Sequence, residues 1–291
     1  MNMLNTLTGI FITVLLQDGD VLKQRIQERL SSVRGTFAVA FHNLDTGREV
    51  LFNEREMFHA ASTMKTPVMI ELFRQARRGT LNLDDPVLVE NEFKSIVDGS
   101  SYSMDLAEDS DDSVYQLIGQ KVTLRFLIYE MITVSSNLAA NIAIQIADPK
   151  KVTETMRSLG ADSIEVLRGV EDLKAFEAGL NNRTTARDLM MIFKALAEAN
   201  SVEESDRQAM IGILSDQKFN DLIPAGLPPK TRVAHKTGSI SGVQHDSGIV
   251  FLPDGKRYIL VVLSKDLQDA KEGKKAIADV SRIIYDSVMG R

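Results

Sequence analysis

A chain of 291 residues that opens and closes on strand-turn-strand patterns, with helical periodicity filling the space between, can fold in few ways. Residues 36–54 (TFAVAFHNLDTGREVLFNE) cluster small and branched apolar residues on both sides of Asp45-Thr46-Gly47, the pattern of a hairpin. Residues 247–265 (SGIVFLPDGKRYILVVLSK) repeat that pattern around Asp254-Gly255. Three-to-four spacing predicts helices over 18–30 and 276–288 at the ends, and over 66–78, 123–146, 151–159, 184–198 and 203–214 in the middle. The polar stretch 82–112 reads as loops on a solvated face, and no catalytic role is expected of its acids. The economical architecture is α+β. Two early and three late strands form one antiparallel sheet flanked by the terminal helices, with an all-helical lobe inserted between the halves. The expected division is an N-terminal extension over 1–19, the first part of the α/β lobe over 20–65, the helical lobe over 66–214, and the second α/β part over 215–291. A cleft between lobes is the default place for chemistry.

Composition narrows that chemistry. The absence of cysteine excludes thiolate nucleophiles, Cys-ligated zinc and iron–sulfur clusters, leaving oxygen and nitrogen groups. With 34 Lys and Arg against 40 Asp and Glu, the net charge of −6 provides no basic field for nucleic acid. A small-molecule partner is expected, and the mixed-sign surface suits a monomer. His42, His59, His235 and His245 lack a metal-motif spacing, so neither a metal nor another cofactor is expected. The apolar run 10–16 is shorter than the ~20 residues that cross a bilayer, and no Lys or Arg precedes it. It reads as a weak export signal or a plain extension, and no membrane span is expected.

Three short elements could carry chemistry. Ser62 and Lys65 lie one helical turn apart at the start of a helix, where a neutral lysine could take the serine proton and the helix N-terminal amides could face a developing oxyanion. The alternative is a serine that caps the helix. Ser135 and Asn137 stand where a turn enters a helical pattern, suited to proton relay or substrate binding, with capping again the alternative. His235-Lys236-Thr237-Gly238-Ser239 precedes a strand. It combines a cation, two hydroxyls and a glycine that lets a ligand approach the backbone, the alternative being an exposed strand start.

Ser-x-x-Lys, Ser-x-Asn and Lys-Thr-Gly occur in that order, at spacings of about 70 and 100 residues, which is the grouping of serine acyl enzymes. On these motifs the chain resembles the serine beta-lactamase and penicillin-binding protein superfamily, most closely the class A beta-lactamase branch, over roughly residues 20–291. The resemblance implies a split α/β lobe, a helical lobe and a cleft between them. It also implies that Ser62 is the acylated nucleophile and Lys65 its partner base. Ser135 then passes a proton to the leaving nitrogen, Asn137 binds substrate, Lys236 and Thr237 receive the substrate carboxylate, and amides of Ser62 and Ser239, next to Gly238, form the oxyanion hole. A periplasmic or secreted location follows from the same resemblance.

The chain departs from the class A pattern in three places. Ser136 stands where the middle motif usually has Asp, keeping a hydrogen-bonding group and losing the charge. In the loop that holds the deacylating glutamate, Arg168 is followed three residues later by Glu171, one position beyond the family spacing, and Asn181 lies ten beyond Glu171. Glu171 is the candidate water-activating base, with Asp172 and Glu177 as rivals. No arginine occurs in 243–247, where many relatives bring one toward the carboxylate. His235 either adds positive potential beside Lys236 or is a surface histidine, and His245 with Asp246 falls at a strand end near the cleft.

The leading expectation is a beta-lactamase-type hydrolase. The alternative is a penicillin-binding D-alanyl-D-alanine peptidase or general serine esterase with slow deacylation, acting on a peptidoglycan-like substrate. A non-catalytic binding domain would require Lys65 to be exposed or Ser62 to face away.

Overall fold

The computed structural model describes residues 20–198 and 202–291. The apolar run 10–16 lies outside the described residues. A first helix, α1 (20–31), leads into β1 (Thr36–Asn43) and β2 (Glu49–Phe52). After β3 (Phe58–His59), a 3-10 turn (Ala61–Met64) runs directly into α2 (Lys65–Arg77). The polar stretch then forms short strands β4 (Pro86–Leu88), β5 (Phe93–Lys94) and β6 (Ser101–Tyr102), followed by β7 (Lys121–Thr123). Next come α3 (Leu124–Thr133), α4 (Asn137–Ala147), α5 (Pro149–Ser158), the short α6 (Leu173–Glu177), β8 (Arg183–Thr184), α7 (Ala186–Ala197) and α8 (Glu204–Ser215). The chain ends on β9 (Arg232–Ile240), β10 (Val243–Phe251), β11 (Arg257–Lys265) and α9 (Ala270–Val288).

The main sheet has the order β2-β1-β11-β10-β9 with every neighbour antiparallel, so both ends of the chain meet in one sheet as the two hairpin patterns require. Its central strands are apolar on both faces because both faces are covered. Phe37, Val39 and Phe41 of β1, with Tyr258, Leu260 and Val262 of β11, pack in one core with Leu22 and Ile26 of α1 and Ile277, Val280 and Ile284 of α9. Ala38 and Ala40, with Ile259, Val261 and Leu263, face the other core, which continues through α2, α3, α4, α5, α7 and α8. Strict alternation therefore assigns each strand residue to one core. Each fully buried Leu, Ile or Phe contributes about 1.5–3 kcal/mol to that packing. Among the described residues no helix is long and apolar enough to cross a membrane.

The helical pattern expected as one element over 123–146 is two helices. Thr123 caps α3 through Phe126 N–H (3.2 Å), and Ser136 caps α4 through Ala139 N–H (3.3 Å). Between them Ser135 adopts a left-handed φ of 60°, which turns the chain. The last helix begins at Ala270 rather than 276. Its polar first turn carries no apolar rhythm but is capped by Asp269, which accepts from the Lys271 and Glu272 amides. The five-residue α6 was not expected, since its apolar Leu173 and Phe176 are exposed.

Candidate active site

The 3-10 turn that carries Ser62 is held from three sides. His245 is fully buried on β10, accepts the Ser264 amide at Nδ1 (3.1 Å), and donates from Nε2 to the His59 carbonyl (2.9 Å). Burial pushes its pKa down to about 4, so the ring is a neutral strut at physiological pH. His59 in turn accepts the Ala61 amide at Nδ1 (3.0 Å), and Ala61 sits at φ 45°. Across the sheet edge a Cβ added to Gly238 would meet the amides of Ser62 and Thr63 at 3.1 Å each. Glycine is thus what lets β9 approach the Ser62 turn. Ser62 is half-buried and caps nothing, because the turn starts at Ala60 with no side-chain cap.

Lys65 has no exposed surface. Its ammonium donates to the Ser135 carbonyl (2.7 Å), Asn137 Oδ1 (2.9 Å) and Ser135 Oγ (3.3 Å). With the Ser136 carbonyl at 3.4 Å as a fourth acceptor, the three protons of Nζ are fully engaged, and no Lys65–Ser62 hydrogen bond forms. Burial drives the Lys65 pKa down to about 7, against the attraction of Asp109 and Glu171. Lys236 is equally buried and donates to Ser135 Oγ (3.0 Å) and the Thr237 carbonyl (3.0 Å). Burial, reinforced by the Lys65 charge and opposed by Asp246, holds it well below the ordinary lysine range. One hydroxyl, Ser135 Oγ, therefore receives both lysines. Capping at this helix belongs to Ser136 and not to Ser135 or Asn137.

Glu171 reaches the same cluster despite its spacing. Its Oε1 accepts from Asn137 Nδ2 (3.3 Å) and its Oε2 from the Asp105 amide (3.1 Å). Burial raises its pKa above the ordinary carboxylate range, opposed by those two hydrogen bonds and assisted by Asp109 and Glu108. The rivals lie elsewhere. Asp172 is buried and accepts from Ser95 Oγ (2.8 Å), Ile96 N–H (2.9 Å) and Ala175 N–H (3.1 Å). Burial opposes its charge, yet these donors and Arg168 hold its pKa low, as suits a structural cap. Glu177 ends α6 facing solvent. Arg168 closes the base of the loop on Asn181 Oδ1 (2.9 Å) and the Leu180 carbonyl (2.9 Å).

Ala61, Ser135 and Glu171 are non-glycine residues with φ of 45°, 60° and 61°, all at this cluster. Backbone strain of about 1–3 kcal/mol each persists only where the surroundings enforce it.

Two expectations need correction. His235 neither stands beside the Lys236 side chain nor lies on the surface. Strand alternation turns it away from Lys236 onto the α9 side of the sheet, where it is 1% exposed and bonded to Asp246 Oδ1 (2.9 Å) and Asn220 Oδ1 (3.3 Å). The acids of 82–112 are not all solvated: Asp109 accepts from the Asn137 amide (2.8 Å to each oxygen) and the Leu138 amide (3.0 Å). The available signal was the missing acid at Ser136 in a chain with an acidic run elsewhere. Farther along β9 Thr237 is nearly buried, Ser239 is exposed, and Gln244 Nε2 donates to Ser239 Oγ (2.8 Å). Among the described residues no group of His, Asp and Glu is disposed to hold a metal ion.

Known proteins match this chain along nearly its whole length. A beta-lactamase of Bacillus licheniformis is 28% identical over 271 residues, covering 91% of this chain and 82% of that protein. One from Bacteroides uniformis is 25% identical, covering 98% and 97%. A mutant of PBP-A, solved as an acyl-enzyme complex with penicillin G, superposes with a TM-score of 0.80 at 25% identity, covering 94% and 97%. A beta-lactamase from Chitinophaga pinensis shares the fold at 22% identity and a TM-score of 0.80, covering 92% and 99%. The sequence model of the beta-lactamase enzyme family spans residues 21–288, which takes in both halves of the sheet, the helices between them and all three motifs, and this chain belongs to that family.

Proposed function

We propose that this protein is a class A-like serine hydrolase that opens the β-lactam ring through a Ser62 acyl-enzyme. The observation that carries the reading is the convergence of two fully buried lysines, Lys65 and Lys236, on the Ser135 hydroxyl beside the Ser62 turn. A lysine with a pKa of about 7 is neutral in a large fraction of molecules at physiological pH. Once substrate displaces its present partners, neutral Lys65 takes the Ser62 proton as Oγ bonds to the lactam carbonyl carbon. Amides of Ser62 and Ser239 receive the oxyanion. The ring C–N bond then breaks, and Ser135, fed by the lysines, supplies the proton to the leaving nitrogen. Asn137 binds the substrate's amide side chain. Glu171, with its pKa raised by burial, activates the water that cleaves the ester.

Recognition of the substrate carboxylate falls to Lys236, Thr237 and Ser239. Because Ser239 Oγ accepts from Gln244, its own proton is free to point outward to an anion. Gln244→Glu reverses that polarity, since the new carboxylate takes the Ser239 proton. It is expected to raise KM about tenfold for substrates bearing the carboxylate, with kcat little changed and no effect on their esterified analogues. Equal effects on both substrate forms would remove Gln244 from recognition.

A second reading, a penicillin-binding peptidase or esterase that releases its acyl group slowly, is favoured by two observations. A mutant of PBP-A solved as a penicillin G acyl-enzyme is among the similar structures, and both Glu171 oxygens are already engaged. Intact-mass measurement after mixing with a chromogenic cephalosporin separates the two. Rapid colour with no lasting adduct supports the lactamase, a persistent adduct on Ser62 supports slow release, and neither colour nor adduct overturns both β-lactam readings.

A further inference from the structure

We propose that Asp109, on a loop outside the three motifs, is a positioning residue for acylation: it fixes Asn137 and supplies the carboxylate that the middle motif lacks at Ser136. This inference rests on the reading of Lys65 as the base for Ser62. Asp109 approaches the N-terminus of α4, accepting from the Asn137 amide at 2.8 Å with each oxygen and from the Leu138 amide at 3.0 Å. The Ser136 hydroxyl lies 3.5 Å from Asp109 Oδ2. Ser136 therefore caps from within the motif while the anion comes from 27 residues upstream. A carboxylate here is favoured by the unpaired amides and the positive end of the eleven-residue α4.

The consequence passes through Asn137. Its backbone is held by Asp109, its Oδ1 accepts from Lys65 and its Nδ2 donates to Glu171. One side chain thus spans the acylation base and the candidate deacylation base, and Asp109 sets where it sits. Asp109 makes no ion pair with Lys65, so its influence on the lysine is through-space attraction plus this bridge. The groups facing Lys65 are Ser135, Ser136 and Asn137 from the α3–α4 turn, Glu171 from the loop before α6, Lys236 from β9, and Asp109. Asp109 is the largest of the attractions that keep Lys65 protonated, Glu171 the second, and both work against burial. Tyr115, whose hydroxyl is buried, also feels Asp109, which adds to burial in raising its pKa.

Asp109→Asn keeps the shape and one acceptor while removing the charge. The Lys65 titration, read by NMR of the protein labelled at lysine Cε and assigned against Lys65→Met, is expected to fall by about one pH unit from its wild-type midpoint. The acid limb of the acylation rate with a chromogenic cephalosporin should move to lower pH by the same amount, because neutral Lys65 then persists in more acidic solution. Ser136→Asp added to Asp109→Asn returns a carboxylate to the same helix end and should restore both midpoints. Ser136→Asp alone places two carboxylates together and should lower Tm. A purely structural Asp109 would scale the rate equally at every pH, and an unmoved Lys65 midpoint in Asp109→Asn overturns the proposal. Failure of the wild type to acylate would instead sink the acyl-transfer reading, and the NMR titration, which needs no turnover, would still decide the role of Asp109.

Discussion

Lys65→Met is expected to slow capture of a β-lactam by Ser62 about a thousandfold, within the span typical of a lost general base. Ser62→Ala should give no covalent adduct at all, and the double variant should be indistinguishable from Ser62→Ala, because residues acting as one unit do not contribute additively. The measurement is the pre-steady-state rate of adduct formation by mass. A Lys65→Met protein that acylates within a few-fold of wild type would show that another group takes the proton. Methionine is chosen because it fills nearly the same volume and cannot titrate.

The same substitution has a stability signature that activity does not share. Lys65 is held at a pKa of about 7 against an ordinary 10.5. Below pH 7 both folded and unfolded chains bind its proton, and the folded state carries the full cost of the buried charge. Between pH 7 and 10.5 the unfolded chain binds more protons than the folded one, so stability rises with pH. Wild type should therefore gain on Lys65→Met by about 4 kcal/mol as pH is raised across that window. The constant offset is a separate matter, since methionine leaves the Ser135 carbonyl and Asn137 Oδ1 without a donor, at about 1–3 kcal/mol each. Urea unfolding of the two proteins across this pH range separates the slope from the offset.

Much of the fold was legible because its causes are local and periodic. Runs of small, branched and aromatic apolar residues in 36–43 and 257–265 give strands, and Asp45-Thr46-Gly47 and Asp254-Gly255 mark the turns. The cluster of Ser62, Lys65, Ser135 and Lys236 was legible because Ser-x-x-Lys, Ser-x-Asn and Lys-Thr-Gly occur together in the order shared by serine acyl enzymes, although each motif alone fits a capping or strand-start role. What escaped depends on tertiary placement. Nothing local distinguishes Asp109 from Glu108 or Asp111 in an acidic run, and its role exists only because the loop folds against α4. His235 was misread because one step along β9 moves a side chain to the opposite face of the sheet, where Asp246 and Asn220 lie. Glu171 looked misaligned by a residue, and its left-handed φ of 61° is part of the local backbone path that brings it to Asn137. Such a conformation is rare for glutamate and leaves no mark in composition or periodicity.

That geometry makes Glu171→Gln the decisive variant for release of the acyl group. The substitution removes the proton acceptor and keeps the size, so acylation should persist within a few-fold while deacylation falls about 10²–10⁴-fold. The adduct should then accumulate to one per chain and outlast the wild-type adduct by the same factor. The amide can still accept from one of its two present donors, the Asp105 N–H or Asn137 Nδ2, but its NH₂ must face the other, so some loosening of the loop is expected as well. Asp172→Asn is the matching control. Asp172 accepts three hydrogen bonds that tie 95–96 to α6, so its loss of charge should lower Tm while leaving the deacylation rate near wild type. Turnover at the wild-type rate in Glu171→Gln would take Glu171 out of the mechanism. If wild type itself holds its adduct and Glu171→Gln holds it no longer, Glu171 is present but does not activate water, and the slow-releasing peptidase or esterase reading stands in place of the lactamase.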